Sequence, residues 1–143
     1  MNNIAQRLLS QVEDEGGKLV RVEYVVLQVS PRCVEDVILT FENTVVTVCA
    51  VSDDDSIKVV LKRFEAKSGY DIITVSDKEP WKGAIGQAIM YAWSMINITG
   101  LTDAIQIEFA NSLDDKITTV QLFCVGSTLL LSKVESIEEP IVF

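Results

Sequence analysis

Histidine is absent from all 143 residues. That omission removes the Ser-His-Asp triad, the Cys-His dyad and every imidazole-ligated zinc or iron site, since each needs a group that titrates or coordinates near neutral pH. Cysteine is scarce as well. Cys33, Cys49 and Cys124 are odd in number, widely spaced and free of any CxxC pair, which argues against a disulfide framework or a thiolate metal cage. The spacings GxGxxG, GxxxxGK[ST] and GxSxG do not occur, so dinucleotide, P-loop and serine-hydrolase chemistries drop out, and no cofactor is expected. With 3 prolines, 7 glycines and no Pro/Gly/Ser-rich linker, a single α+β domain over 1–143 is expected. The longest apolar stretch, Ala88 to Ile98, is broken by Ser94 and Asn97 and is far shorter than the roughly 20 residues that span a bilayer. No basic n-region or apolar h-region follows Met1, so a cytoplasmic location without a signal peptide is expected.

Positive charge is also in short supply. Twelve Lys+Arg against 21 Asp+Glu give a net charge of −9, a field that repels phosphate backbones and anionic lipid heads, so neither nucleic acid nor membrane is an expected partner. The only basic concentration, Lys58, Lys62, Arg63 and Lys67, reads as one solvated strand face. An acidic surface suits a basic protein partner.

What the chain has in abundance is β-branched residues. Valine and isoleucine together supply 33 residues and threonine 9 more, a load that favours pleated surfaces. Ile4, Leu8, Leu9 and Val12 form one stripe of an amphipathic helix from about Asn3 to Glu15, ended by Gly16-Gly17. From Lys18 the apolar period becomes two, and five strands follow: Val20 to Val26, Val37 to Phe41, Val46 to Ala50, Ile57 to Leu61, and Tyr70 to Val75. Turns at Pro31 to Cys33, Asn43-Thr44, Asp53 to Asp55 and Ser68-Gly69 separate them, as in an antiparallel meander. The segment 82–98 fits a helical stripe through Ile85, Ala88, Ile89, Ala92 and Ile96, although Ile89, Tyr91, Trp93 and Met95 also alternate. Its length, its alanines and Gly100 as a C-cap favour a second helix. Strands around Ile105 to Phe109, Val120 to Cys124 and Thr128 to Val134 complete a largely antiparallel sheet of about eight strands. The apolar end of 135–143 is expected to dock on its own core or on a second subunit, and a homo-oligomer is a further reading.

Three groups of residues suggest a site. In a meander, the turns after strands one, three and five share one rim, which would gather Asp36, Asp53, Asp54, Asp55, Asp77 and Glu79 as a surface for a basic partner or a set of oxygens for a hard cation. Trp81 and Trp93 carry the large faces that anchor interfaces or line pockets, with Trp93 expected between helix and sheet and Trp81 partly exposed beside Pro80. Glu108 and Asp103 are the acids embedded in the apolar C-terminal half; alternation sets Glu108 on the face opposite Ile105, Ile107 and Phe109, hence outward, whereas a deep pocket lined by Trp93 and Tyr91 with Glu108 buried in it would mark a small-ligand binder or a carboxylate- or metal-dependent enzyme. Cys33, in a turn, is the thiol open to reaction.

Trp93, Asn97, Gly100, Asp103, Glu108-Phe109, Val120-Gln121-Leu122 and Ser127 together resemble a group of small uncharacterised bacterial proteins, some similar to immunity proteins of polymorphic toxin systems. That resemblance implies the fold, and beyond it a toxin-neutralising role. The expected function is a non-catalytic, acidic, cytoplasmic protein-interaction module.

Overall fold

The computed structural model describes residues 4–51, 53–65, 67–112 and 116–134. The helix α1 (Ile4–Glu15) buries Ala5, Leu9 and Val12, and Gly17, at a φ of 78°, takes the left-handed turn that leads into the first strand. Among the described residues nine strands follow: β1 (Leu19–Leu27), β2 (Ser30–Phe41), β3 (Val45–Val51), β4 (Ser56–Val60), β5 (Tyr70–Thr74), β6 (Ile89–Ile96), β7 (Thr102–Phe109), β8 (Thr118–Val125) and β9 (Thr128–Val134). The architecture is α+β and mostly antiparallel, but the strands form two sheets, ordered β4-β3-β2-β1-β5 and β6-β7-β8-β9. A single sheet of about eight strands is therefore not what forms. The tail 135–143 and its expected docking lie outside the described residues.

The inner faces of both sheets and the apolar stripe of α1 share one core, which includes Leu9, Val22, Leu39, Val48, Ile105, Ile107, Val120 and Leu122. Trp81 pins the sheets together. It is fully buried, its ring meets Phe109 of β7 edge-on at 6.3 Å, and its Nε1 donates to the Tyr24 hydroxyl of β1 at 2.6 Å. Satisfying the indole N–H is what lets so large a side chain be buried without a desolvation penalty. The expected exposures of the tryptophans are reversed, because Trp93 lies half-buried on a sheet face.

The second expected helix, 82–98, contains β6 instead. Of the candidate helical residues, Ile89 faces Phe109, Ala92 faces Ile107 and Ile96 faces Thr102 on β7, while Ile85 lies in a turn and Ala88 bridges to Lys18. Gly100, at a φ of 85°, is a hairpin residue and not a C-cap. Asn97 shapes that hairpin, its Oδ1 accepting from the Thr99 and Leu101 amides at 2.9 and 3.2 Å. A helix here would give up the β7 ladder, and tertiary pairing outweighs the weak helical preference.

β5 also departs from the meander. It pairs with β1, at the opposite edge of the sheet from β4, so the connecting residues 61–65 and 67–69 must cross β3, β2 and β1. They do so over the outer face. The Thr47 hydroxyl donates to the Lys62 carbonyl, and Arg63 makes two bonds to Glu23 at 2.7 and 3.2 Å. Beneath the crossover, Val25 and Ile38 are fully buried although they point away from the shared core.

Trp81→Ala is expected to cost about 3–5 kcal/mol in chemical denaturation, and Trp81→Phe, which keeps a ring against Phe109, substantially less. Trp93→Phe should cost under about 1 kcal/mol. Equal costs at the two positions would contradict the assignment of Trp81 as the pin.

Candidate functional site: the open face of the four-stranded sheet

Direct cross-strand partners put their side chains on the same side of a sheet, so the register defines the outer face of β6-β7-β8-β9. One row runs Met95, Ala104, Phe123, Leu130; the next Trp93, Gln106, Gln121, Ser132; the third Tyr91, Glu108, Thr119, Val134. A bulge at Met90 turns Ile89 to the core and Tyr91 outward. Four large apolar side chains stand in solvent here: Tyr91 at 55% exposure, Phe123 at 39%, Leu130 at 51% and Val125 at 56%. Phe123, Val125 and Leu130 lie together at one corner of the face, and Tyr91 stands two rows away on β6, linked to that corner along the strand by half-buried Trp93 and Met95; a grouped apolar exposure of this kind marks an interaction surface, whereas scattered single exposures do not.

The acidic turn 53–55 abuts one corner of this face. Asp55 adopts a left-handed φ of 54°, and its Oδ1 accepts from the Ser127 amide in the β8–β9 turn at 3.0 Å. Asp54 accepts from the Ser56 amide at 3.1 Å. The carboxylates therefore shape the turn and also place negative charge beside Val125 and Phe123.

The six acids of the expected rim are not brought together. β1 and β3 run the same way, so the turn after β3 holds Asp53, Asp54 and Asp55 at the end of the sheet where β1 finishes. β5 runs opposite to β1, which carries Asp77 and Glu79 to the other end, where Glu79 reaches Lys133 at 4.0 Å. Asp36 lies within β2, buried to 9% exposure, in a cleft of about 460 Å³ beneath the crossover lined by Cys49, Lys58, Phe64, Lys67 and Tyr70 among others. Among the described residues no group of three or more Cys, Asp or Glu is placed to hold a metal ion.

Electrostatics in the cleft follow from burial. Loss of solvent pushes the Asp36 carboxyl above its ordinary range, against the hydrogen bond it makes with Cys49. Burial and the adjacent Asp36 together raise the Cys49 thiol to about 12, which keeps it protonated at neutral pH. Glu23 goes the other way, its carboxyl held below the usual range first by the hydrogen bond to Arg63. Cys33 is half-buried with its Sγ 3.1 Å from the Ser30 hydroxyl. Glu108 shares the open face with Tyr91 and Trp93, as its alternation implied, and Asp103 lies one residue before Ala104 on β7. The basic residues 58–67 are partly neutralised, Arg63 by Glu23 and Lys62 by Glu65 at 3.5 Å.

Phe123, Leu130 and Met95 escaped the sequence reading. A signal was present: in β8 the outward phase, Thr119, Gln121, Phe123 and Val125, is half apolar, where simple alternation would have made it polar.

The fold and the face together define a β-rich α+β protein with one apolar sheet surface flanked by acid. The chain belongs to DUF6334, a family of unknown function whose model matches residues 1–138. No curated protein and no solved structure matches it.

Asp36 and Glu23 give opposite pH signatures. The raised Asp36 contributes stability that is complete below the unfolded carboxylate pKa and is lost as pH rises through its folded value, so Asp36→Asn should raise the denaturation midpoint at pH 7, with the gain fading on acidification. The depressed Glu23 contributes stability present above the unfolded pKa and lost as pH falls through the folded one. Arg63→Ala should cost about 1–2 kcal/mol at pH 7, the half-exposed guanidinium tempering the loss, and the difference should close in acid. Parallel pH curves for these variants and the wild type would refute both assignments.

Proposed function

We propose that this protein is a non-catalytic interaction module that binds a basic protein partner through the outer face of β6-β7-β8-β9. The observation that carries this reading is the group Phe123, Val125 and Leu130, exposed together on β8 and β9 next to the turn that Asp55 holds, with Tyr91 exposed farther along the same face. An apolar centre supplies affinity by burial, and an acidic margin on a chain of net charge −9 selects a cationic rim and speeds encounter. Half-buried Trp93 and Met95 between the exposed residues give the patch the aromatic and methionine content found at recognition surfaces. In its narrower form the partner is a toxin domain and the protein neutralises it in the cytoplasm, in keeping with the resemblance of the 93–127 stretch to immunity proteins.

Two sets of substitutions separate the contributions. Phe123→Ser with Leu130→Ser removes exposed apolar area and should speed dissociation at least tenfold, leaving the melting temperature within a few degrees of the wild type. Asp53→Asn with Asp54→Asn should slow association and flatten its salt dependence, with little effect on dissociation. The measurement is binding kinetics against a partner captured with the wild-type chain, repeated at low and high salt. A partner whose binding neither pair alters by more than twofold would overturn the reading. If the partner is a toxin, coexpression of the wild-type chain should restore growth and the Phe123/Leu130 variant should not.

A further inference from the structure

Among the described residues the two sheets present four edges, and three of them have other parts of the fold close by. The outer edge of β6 is sealed by a side chain: the Gln6 amide donates to the Ala92 carbonyl and accepts from the Ser94 amide, both at 2.7 Å, imitating a neighbouring strand. β4 has α1 and β7 near it, across a cavity of about 390 Å³ lined by Ile4, Ile96 and Leu101 among others. β9 lies against β2 and carries Lys133, the residue type that discourages edge pairing. β5 has β1 as its one neighbour in the sheet and holds neither lysine nor proline. Its Ile72 and Ile73 are 37% and 40% exposed, one on each face.

The phase of β5 is fixed by its bonds to β1. The Gln28 amide donates to the Gly69 carbonyl and the Val75 amide to the Val22 carbonyl, each at 2.9 Å. Residues 69, 71, 73 and 75 therefore turn their amides and carbonyls toward β1, and Ile72 and Thr74 turn theirs toward the bare edge. A second β5 laid antiparallel about Ile72 overlaps the whole five-residue strand. Ile72 then exchanges two bonds with its own copy, and each Thr74 amide meets the Tyr70 carbonyl of the other chain, four bonds in all. Side chains fit the same register. Ile72 packs on Ile72, Tyr70 on Thr74, and Asp71 falls opposite Ile73, so no carboxylate faces another across the junction.

We infer that the β5 edge is a self-association site at which two copies of this chain join their five-stranded sheets into one of ten strands. The contact is small, well under the roughly 1,600 Å² of a standard interface, which makes the dimer weak and dependent on concentration. Each copy brings a charge of −9, and their mutual repulsion is screened by ions. Dimerisation therefore strengthens with salt, the opposite of what the apolar, acid-flanked face should show with a basic partner.

Sedimentation equilibrium of the purified full chain provides the test. The expected result is a monomer–dimer equilibrium whose dissociation constant, on the order of 0.1 mM, falls several-fold from about 20 to 300 mM salt. Ile72→Pro removes the two central bonds without touching those to β1, and should raise the constant at least tenfold. A Cys33→Ser, Ile72→Cys chain should form a disulfide-linked dimer on mild oxidation, since directly bonded antiparallel partners have Cα atoms about 5.5 Å apart, whereas Cys33→Ser, Asp71→Cys should not. Phe123→Ser with Leu130→Ser should leave the equilibrium unchanged. A strictly monomeric chain at millimolar concentration, indifference to Ile72→Pro, or a dimer abolished by the Phe123/Leu130 pair would overturn the inference. A monomer whose β5 edge pairs with a strand from another protein would overturn it too.

Discussion

Every apolar sheet face has to be covered, and among the described residues three of the four are. The inner faces of the five- and four-stranded sheets cover each other, with α1 closing one side and Trp81 bridging Tyr24 to Phe109. The outer face of the five-stranded sheet is covered by its own crossover. Full burial of Val25 and Ile38 under that segment is worth about 1.5–3 kcal/mol for each side chain, and this two-sided burial is why β5 can sit so far from β4 in the sheet. Among the described residues the fourth face has no such cover, and it bears Tyr91, Phe123 and Leu130. The functional reading grows from that asymmetry.

The crossover also decides where the polar chemistry goes. Laying a basic segment over a face that contains Glu23 and Asp36 consumes Arg63 in a clamp and leaves Asp36 in a cleft, bonded to Cys49. Acids expected to share one rim are divided among a buried strand position, a turn beside the open face and the far end of the sheet. Of these three placements, the 53–55 turn alone adds negative charge to an apolar surface. The edges follow a similar economy, with the Gln6 amide standing in for a strand at β6 while β5 stays short and bare.

Much of the fold could be read from local pattern. Alternation found β1 to β4, where Val22, Leu39, Val46 and their neighbours sit inward as the period of two requires, and it found β7 to β9. The α1 stripe was equally plain. Non-local events escaped it. Whether 82–98 was helix or strand depended on pairing with β7 just beyond the 97–101 turn, which the pattern within 82–98 does not contain, and Gly100 serves a hairpin as readily as a C-cap. A meander and a crossover have identical turn signals at Ser68-Gly69, so the position of β5, and with it the scattering of Asp77 and Glu79, was invisible. Burial of Trp81 required knowing that the Tyr24 hydroxyl would receive its N–H. The open face left a trace in the half-apolar outward phase of β8, legible only once the inward phase had been assigned to a core.

Side-chain footprinting by carbene or hydroxyl-radical labelling, read by mass spectrometry on the free chain and on its complex, tests the central claim most directly. Strong labelling of Tyr91, Phe123 and Leu130 is expected in the free protein, with little at Trp81, Val25 and Ile38, and protection of the first three on binding. Weak labelling of Tyr91, Phe123 and Leu130 in the free chain, or their undiminished labelling in the complex, would contradict it.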